Sequence, residues 1–132
     1  MFFEFIGVLM LFISVPLLVL IYYFSEYKNK LKMLDNNITM EGIIKKYNKS
    51  YVYIYPIIEF IDNGELKILS KVYRIERYRL MKIGSKVRVL KLADGSYLND
   101  YDIIYYKTRI ITMLFIIFSQ FIMLLSLMIF LN

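Results

Sequence analysis

Few residues in this chain could do chemistry, and their types and spacing point away from catalysis. There is no histidine and no cysteine among the 132 residues. That removes the commonest general base, the thiol nucleophile and the usual zinc ligands. Ser70-Lys71 and Ser85-Lys86 are adjacent pairs. Neighbours on an extended chain point to opposite faces, so neither pair makes a good nucleophile–base dyad. Asp94, Asp100 and Asp102 lie close together. Several carboxylates can hold a hard cation, but turn chemistry and solvated acids offsetting nearby bases account for these three. Lys82-Ile83-Gly84-Ser85 lacks the spacing of a phosphate-binding loop. The chain is therefore expected to be no enzyme and to carry no cofactor or metal.

A second constellation is basic. Lys71, Arg74, Arg77, Arg79, Lys82, Lys86 and Arg88 are interleaved with Tyr73 and Tyr78. In a soluble protein such a stretch would suggest nucleic acid. The elements around it change that reading.

Two apolar runs bracket the chain, at residues 2–24 and 110–131, and all 17 lysines and arginines lie between them. Each run is long enough to cross a hydrocarbon core of about 30 Å as a helix. The fold class expected is an α+β membrane protein, with two transmembrane helices forming an antiparallel hairpin. They would flank a small antiparallel β-barrel-like or curled-sheet domain. The divisions are residues 1–24 (first span), 25–37 (helical extension and linker), 38–105 (β domain) and 106–132 (second span). Glu4, the lack of a base near the start and the ending Ile21-Tyr22-Tyr23-Phe24 fit an uncleaved anchor better than a cleavable signal.

Lys28, Lys30 and Lys32 follow the first run, and Lys107 and Arg109 precede the second. The positive-inside rule then puts the β domain in the cytoplasm and both ends outside. Tyr22, Tyr23, Tyr27, Tyr105 and Tyr106 suit the membrane interface. Near such a surface each base gains about 1 kcal/mol from anionic lipid. Lipid contact or solubility thus explains the basic stretch better than nucleic acid does. Richness in Ile, Tyr, Lys and Asn suggests a bacterial cell membrane as the location.

Gly7 and Ser14 are seven apart, as are Thr112, Ser119 and Ser126. Small residues on one helical stripe let two backbones approach. They predict the seam of a left-handed helix pair. Gln120 is the one strongly polar group deep in either run and is expected to hydrogen-bond a neighbouring helix. Pro16 is expected to kink the first helix.

Between the runs, a polar helical extension, with Glu26 and Lys30 spaced for an ion pair, gives way at Asp35-Asn36-Asn37 to a β pattern. Strands are expected at 38–47, 51–61, 66–73 and 87–92, with a fifth at 97–103 and a short helix or turn at 76–81. Gly42 marks a bulge or close approach, and Pro56 an edge or bulge. Asn63-Gly64 and Asp94-Gly95 read as turns. In the second strand Tyr51, Tyr53 and Tyr55 face one way, and Val52, Ile54, Ile58 and Phe60 the other.

Gly42, then Tyr55-Pro56-Ile57-Ile58-Glu59-Phe60, Asp62-Asn63-Gly64 and Ile83-Gly84-Ser85-Lys86-Val87-Arg88-Val89 come in an order that resembles the bacterial domain of unknown function 3592. The likeness covers residues 41–89 and the flanking runs. It implies a small β domain between two membrane helices and brings no catalytic residues. The chain departs from the pattern at Leu90-Lys91-Leu92-Ala93-Asp94, where a Tyr and an Asn/Pro-rich turn are usual.

The function expected is a non-enzymatic binding module at the membrane. Its interaction surface would be Tyr51, Tyr53, Tyr55, Tyr73, Arg74, Arg77 and Arg79, since tyrosine and arginine are favoured at interfaces. Its partners would be the bilayer and a protein or a second copy. An immunity protein against a secreted toxin, or an accessory subunit of a transporter, are the alternatives.

Overall fold

A computed structural model describes residues 1–50, 53–71 and 80–132. Two long helices flank a five-stranded antiparallel sheet. The elements are α1 (Phe2–Asn36), β1 (Met40–Ser50), β2 (Tyr53–Asp62), β3 (Glu65–Leu69), β4 (Lys86–Lys91), β5 (Tyr97–Asn99) and α2 (Asp100–Leu131). The first apolar run and its polar extension form one continuous helix, α1, in which Glu26 and Lys30 pair at 3.8 Å. Both helices are long and apolar enough to cross a membrane.

The helices pack along each other in opposite directions. The ring of Tyr23 lies 6.2 Å from that of Tyr106, while Pro16 and Gln120 line one groove farther along. Shielded positions in the apolar part of α1 follow a three–four spacing: Ile6, Leu9, Ile13, Pro16, Leu20 and Tyr23, with Ser14 and Val19 beside them. In α2 the matching stripe is Tyr106, Ile110, Met113, Ile117, Gln120, Leu124 and Leu127. Such alternation keeps one stripe of each helix facing its partner.

The small-residue seam is corrected by this arrangement. Gly7, Thr112, Ser119 and Ser126 are exposed, and Ser14 stands beside the seam. Thr112, Ser119 and Ser126 donate their hydroxyls to carbonyls four residues back in their own helix, at 3.0, 2.8 and 2.9 Å. A hydroxyl satisfied within its helix has no need of the partner, whereas large branched side chains gain by interlocking.

The strand order is β3-β2-β1-β4-β5. Asn63 and Gly64 both have positive φ, 52° and 79°, and join β2 to β3 in a tight turn. The sheet curls until its outermost strands meet through side chains. Tyr97 of β5 lies 4.8 Å from the Phe60 ring, and Lys67 of β3 donates to the Tyr97 hydroxyl at 3.0 Å. Among the described residues no backbone pairing joins β3 to β5.

Ile44, Ile58, Phe60, Val87, Val89 and Tyr101 form the core on the inner face, with Ile104 and Tyr105 of α2 against it. Gly42 permits this closeness. A Cβ there would meet Ile58 Cγ2 at 2.7 Å and Val89 Cγ2 at 3.0 Å. A bulge at Lys45 shifts the β1 register between Ile44 and Lys46. It reverses the alternation, so Tyr47 points inward and its hydroxyl meets that of Tyr101 and the Met81 carbonyl.

Strand limits differ from expectation by one to four residues, and one difference changes an element. The strand expected at 97–103 stops at Asn99, and helix α2 begins at Asp100, inside the segment assigned to the β domain. The reason is a capping box. Asn99 Oδ1 accepts from the Tyr101 N–H at 2.8 Å, and Asp102 Oδ2 accepts from the Asn99 N–H at 2.9 Å. The turn or helix expected at 76–81 lies mostly outside the described residues, and Leu80 and Met81 have no regular structure.

Candidate functional site

The side of the sheet turned away from α2 is the most distinctive surface of the domain. Alternation along β2 sends Pro56, Ile58, Phe60 and Asp62 inward. Tyr53, Tyr55, Ile57, Glu59 and Ile61 therefore share the outer face. Pairing across the hairpin sets Leu66 opposite Ile61 and Ile68 opposite Glu59, and Ile43 of β1 flanks Glu59 on its other side. Ile61, Leu66 and Ile68 are 62%, 66% and 63% exposed. Tyr53 and Ile43 are also exposed, while Tyr55 and Ile57 are partly covered.

Charges on this face are matched. Lys45 lies 3.4 Å from Glu59, and Lys86 lies 3.2 Å from Glu41. The outer face is thus an aliphatic patch with a tyrosine border and offset charges. Its chemistry suits adhesion to another apolar surface.

The basic stretch divides differently from its reading as one surface. Lys71 donates to the Tyr97 carbonyl at 2.5 Å and to Asp102 at 3.3 Å. The Arg88 guanidinium joins three elements. It reaches Asp35 at the end of α1 at 2.6 Å and Asp100 at the start of α2 at 2.9 and 3.0 Å, from its place on β4. Asp100 also accepts from the Arg88 backbone N–H at 2.6 Å. Asp100, and then Asp35, hold the guanidinium even more firmly protonated than usual. These two bases fasten the sheet to the helices. Tyr51, Tyr73, Arg74, Arg77 and Arg79 lie outside the described residues.

The three aspartates also have separate structural tasks. Asp94 accepts from the Ser96 hydroxyl at 2.6 Å, which holds its carboxyl below the usual range. Asp100 grips Arg88, and Asp102 completes the helix cap. A different acid, Asp62, is the nearly buried one. Its carboxylate accepts from the Tyr97 hydroxyl at 2.9 Å and lies 3.3 Å from Lys67 and 3.4 Å from Lys91. The Tyr97 hydroxyl, followed by the Lys67 ammonium, keeps the Asp62 carboxyl below the ordinary carboxylate value. Tyr97 and Asp62 in turn raise Lys67. Burial and the neighbouring Tyr101 hydroxyl push the Tyr47 hydroxyl far up, so it acts as a fixed hydrogen-bonding group.

The aliphatics of the patch escaped the sequence reading, although the signal was present. Ile57, Ile61 and the tyrosines all occupy odd positions of one strand. A two-residue turn at Asn63-Gly64 sets Leu66 and Ile68 beside them. No family model, curated protein or solved structure matches the chain.

Proposed function

We propose that this chain is a two-span protein of a bacterial cell membrane that holds a small non-enzymatic binding module at the bilayer. The outer face of the sheet is its contact surface for a protein partner, through Ile43, Ile61, Leu66 and Ile68 with Tyr53 and Tyr55. The supporting observation is the contrast in exposure. Three large aliphatics on two adjacent strands stand open to solvent in a domain whose inner face buries Ile44, Ile58, Phe60, Val87 and Val89. A surface left apolar in this way marks an interaction site.

The spans keep the module close to the membrane, and bases at their ends suit an anionic leaflet. Lys28 stands over the Phe24 ring at 5.3 Å and Arg109 over Tyr105 at 5.2 Å, so both can present charge beside interfacial aromatics. By the positive-inside rule the module lies in the cytoplasm. The likeness to the domain of unknown function 3592 agrees with this layout and rests on its short motifs.

The test uses the whole chain in detergent-solubilised membranes. Replacing Ile61, Leu66 and Ile68 with Ser together abolishes recovery of the partner while the circular dichroism spectrum stays unchanged. Equal recovery by the triple variant would refute the assigned surface. A reporter fused at Asn132 is expected on the outer side, and activity inside the cell reverses the orientation.

A further inference from the structure

The helix pair leaves two grooves, and the charges at their mouths differ. One groove, of about 540 Å³, is lined by Ile13 of α1 and by Ile111, Leu114, Phe115, Phe118 and Phe121 of α2. Residues spaced by threes and fours share one face of a helix. Lys107, Ile111, Leu114, Phe118 and Phe121 follow that spacing on α2, and Ile13, Leu17, Ile21, Phe24 and Lys28 follow it on α1. Both walls of this groove therefore end in a lysine, at the end of the pair nearest the sheet.

The two ammonium groups converge on one level. Helical side chains lean toward the N-terminus of their own helix. Because α1 and α2 run in opposite directions, Lys28 leans toward the apolar runs and Lys107 away from them. Lys28 starts more than a turn beyond Tyr23, and its ammonium reaches back over the Phe24 ring at 5.3 Å. Lys107 directly follows Tyr106, whose ring meets that of Tyr23. Interfacial tyrosines mark the headgroup level of a bilayer. Among the described residues neither lysine has an acid within ion-pair reach. The other groove ends differently. From Val8, Phe12 and Val15 the same spacing leads to Glu26, and from Gln120 it leads back to Arg109. Glu26 is an acid already paired with Lys30, so opposite charges meet at that mouth.

We propose that an anionic diacyl phospholipid binds the Phe118 groove, with one acyl chain along the apolar wall and its phosphate between Lys28 and Lys107. The chain then meets only apolar surface, and no polar group is left unmatched in hydrocarbon. A basic site between membrane helices selects anionic headgroups over zwitterionic ones. The lipid site deepens the proposed function and rests on its reading of α1 and α2 as membrane spans.

The chain has no tryptophan, so a single one can serve as a reporter. Full-length Phe118→Trp reports on this groove and Val15→Trp on the other. Each is reconstituted in vesicles of phosphatidylcholine and phosphatidylglycerol, with quenching bromines on the acyl chains of one lipid or the other. At equal mole fraction, phosphatidylglycerol is expected to be favoured beside the Phe118→Trp reporter at least about fivefold, the worth of one base at an anionic leaflet. The Val15→Trp reporter is expected to show no such preference. Adding Lys28→Gln with Lys107→Gln removes the preference. Adding Lys46→Gln with Lys49→Gln, which takes the same charge from β1, leaves it. Equal quenching by both lipids, a preference shared by both grooves, or one that answers alike to the two lysine pairs overturns the lipid site and leaves the spans standing. A reporter that neither lipid quenches overturns both.

Discussion

Ile43 and Ile44 are neighbours of identical chemistry, yet Ile43 is 37% exposed and Ile44 is fully buried. They belong to opposite faces of one sheet. The inner face packs Ile44, Ile58, Phe60, Val87 and Val89 under Tyr101 at the start of α2. On the outer face, Ile43, Ile61, Leu66 and Ile68 have no comparable cover. The same aliphatic residue therefore supports folding on one side and stays exposed on the other. What separates the roles is the presence of a helix, held against one face by the Arg88 ion pairs and the Asn99 cap.

Substitutions on the two faces sharpen this contrast. The largest effect is expected from Ile58→Ala, which leaves a cavity among methyl groups of three strands. It should lower stability by about 2–5 kcal/mol, read from thermal melts of the whole chain in micelles. Gly42→Ala should follow at about 1–3 kcal/mol. Its new methyl collides with Ile58, Val89 and Val87, whose branched side chains cannot all withdraw. An unchanged melt for this variant would mean that the inner face is loosely packed. Asn99→Ala removes the cap that starts α2 and should cost about 1 kcal/mol, the usual worth of an N-cap.

A subtler probe is acid. The Asp62 carboxyl is held below its ordinary value by Tyr97 and Lys67. A depressed folded-state pKa adds stability that is complete above the unfolded-state value of about 3.9 and disappears as pH falls through the folded-state value. Wild type should thus exceed Asp62→Asn near neutrality, and their melting curves should converge below about pH 4. Parallel curves down to low pH would remove Asp62 from the closure of the sheet.

The smallest effect on stability belongs to the outer face. Ile61→Ser or Ile68→Ser alone should change stability within about 0.5 kcal/mol. A larger loss would mean that the patch is covered within the protein, which would erase the contrast between the faces.

Much of the architecture was readable before any coordinates. Hydropathy marked both helices, and the Asn63-Gly64 turn and the alternation of Ile54, Ile58 and Phe60 marked a hairpin with a buried side. The Asn99–Asp102 cap was also readable, being a spacing of three before an apolar run, but the β-rich Tyr97-Leu98 masked it. Other features had no local signature. The bulge at Lys45 turns Tyr47 inward against the simple alternation. The helix seam follows a stripe of large residues, and a regular seven-residue spacing of small ones pointed to the wrong side.

From its sequence alone this chain determined where helices can run and where turns must fall, because each depends on residue types close together in the chain, and it fixed the lack of histidine and cysteine side chains. Tertiary structure decided which of two adjacent isoleucines is buried, which stripe of each helix meets its partner, and that Arg88 grips both helices. Those outcomes depend on groups brought together from distant parts of the chain: Arg88 is 53 residues from Asp35 and 12 from Asp100. Burial and ion pairing are properties of such meetings, so only the folded chain defines them.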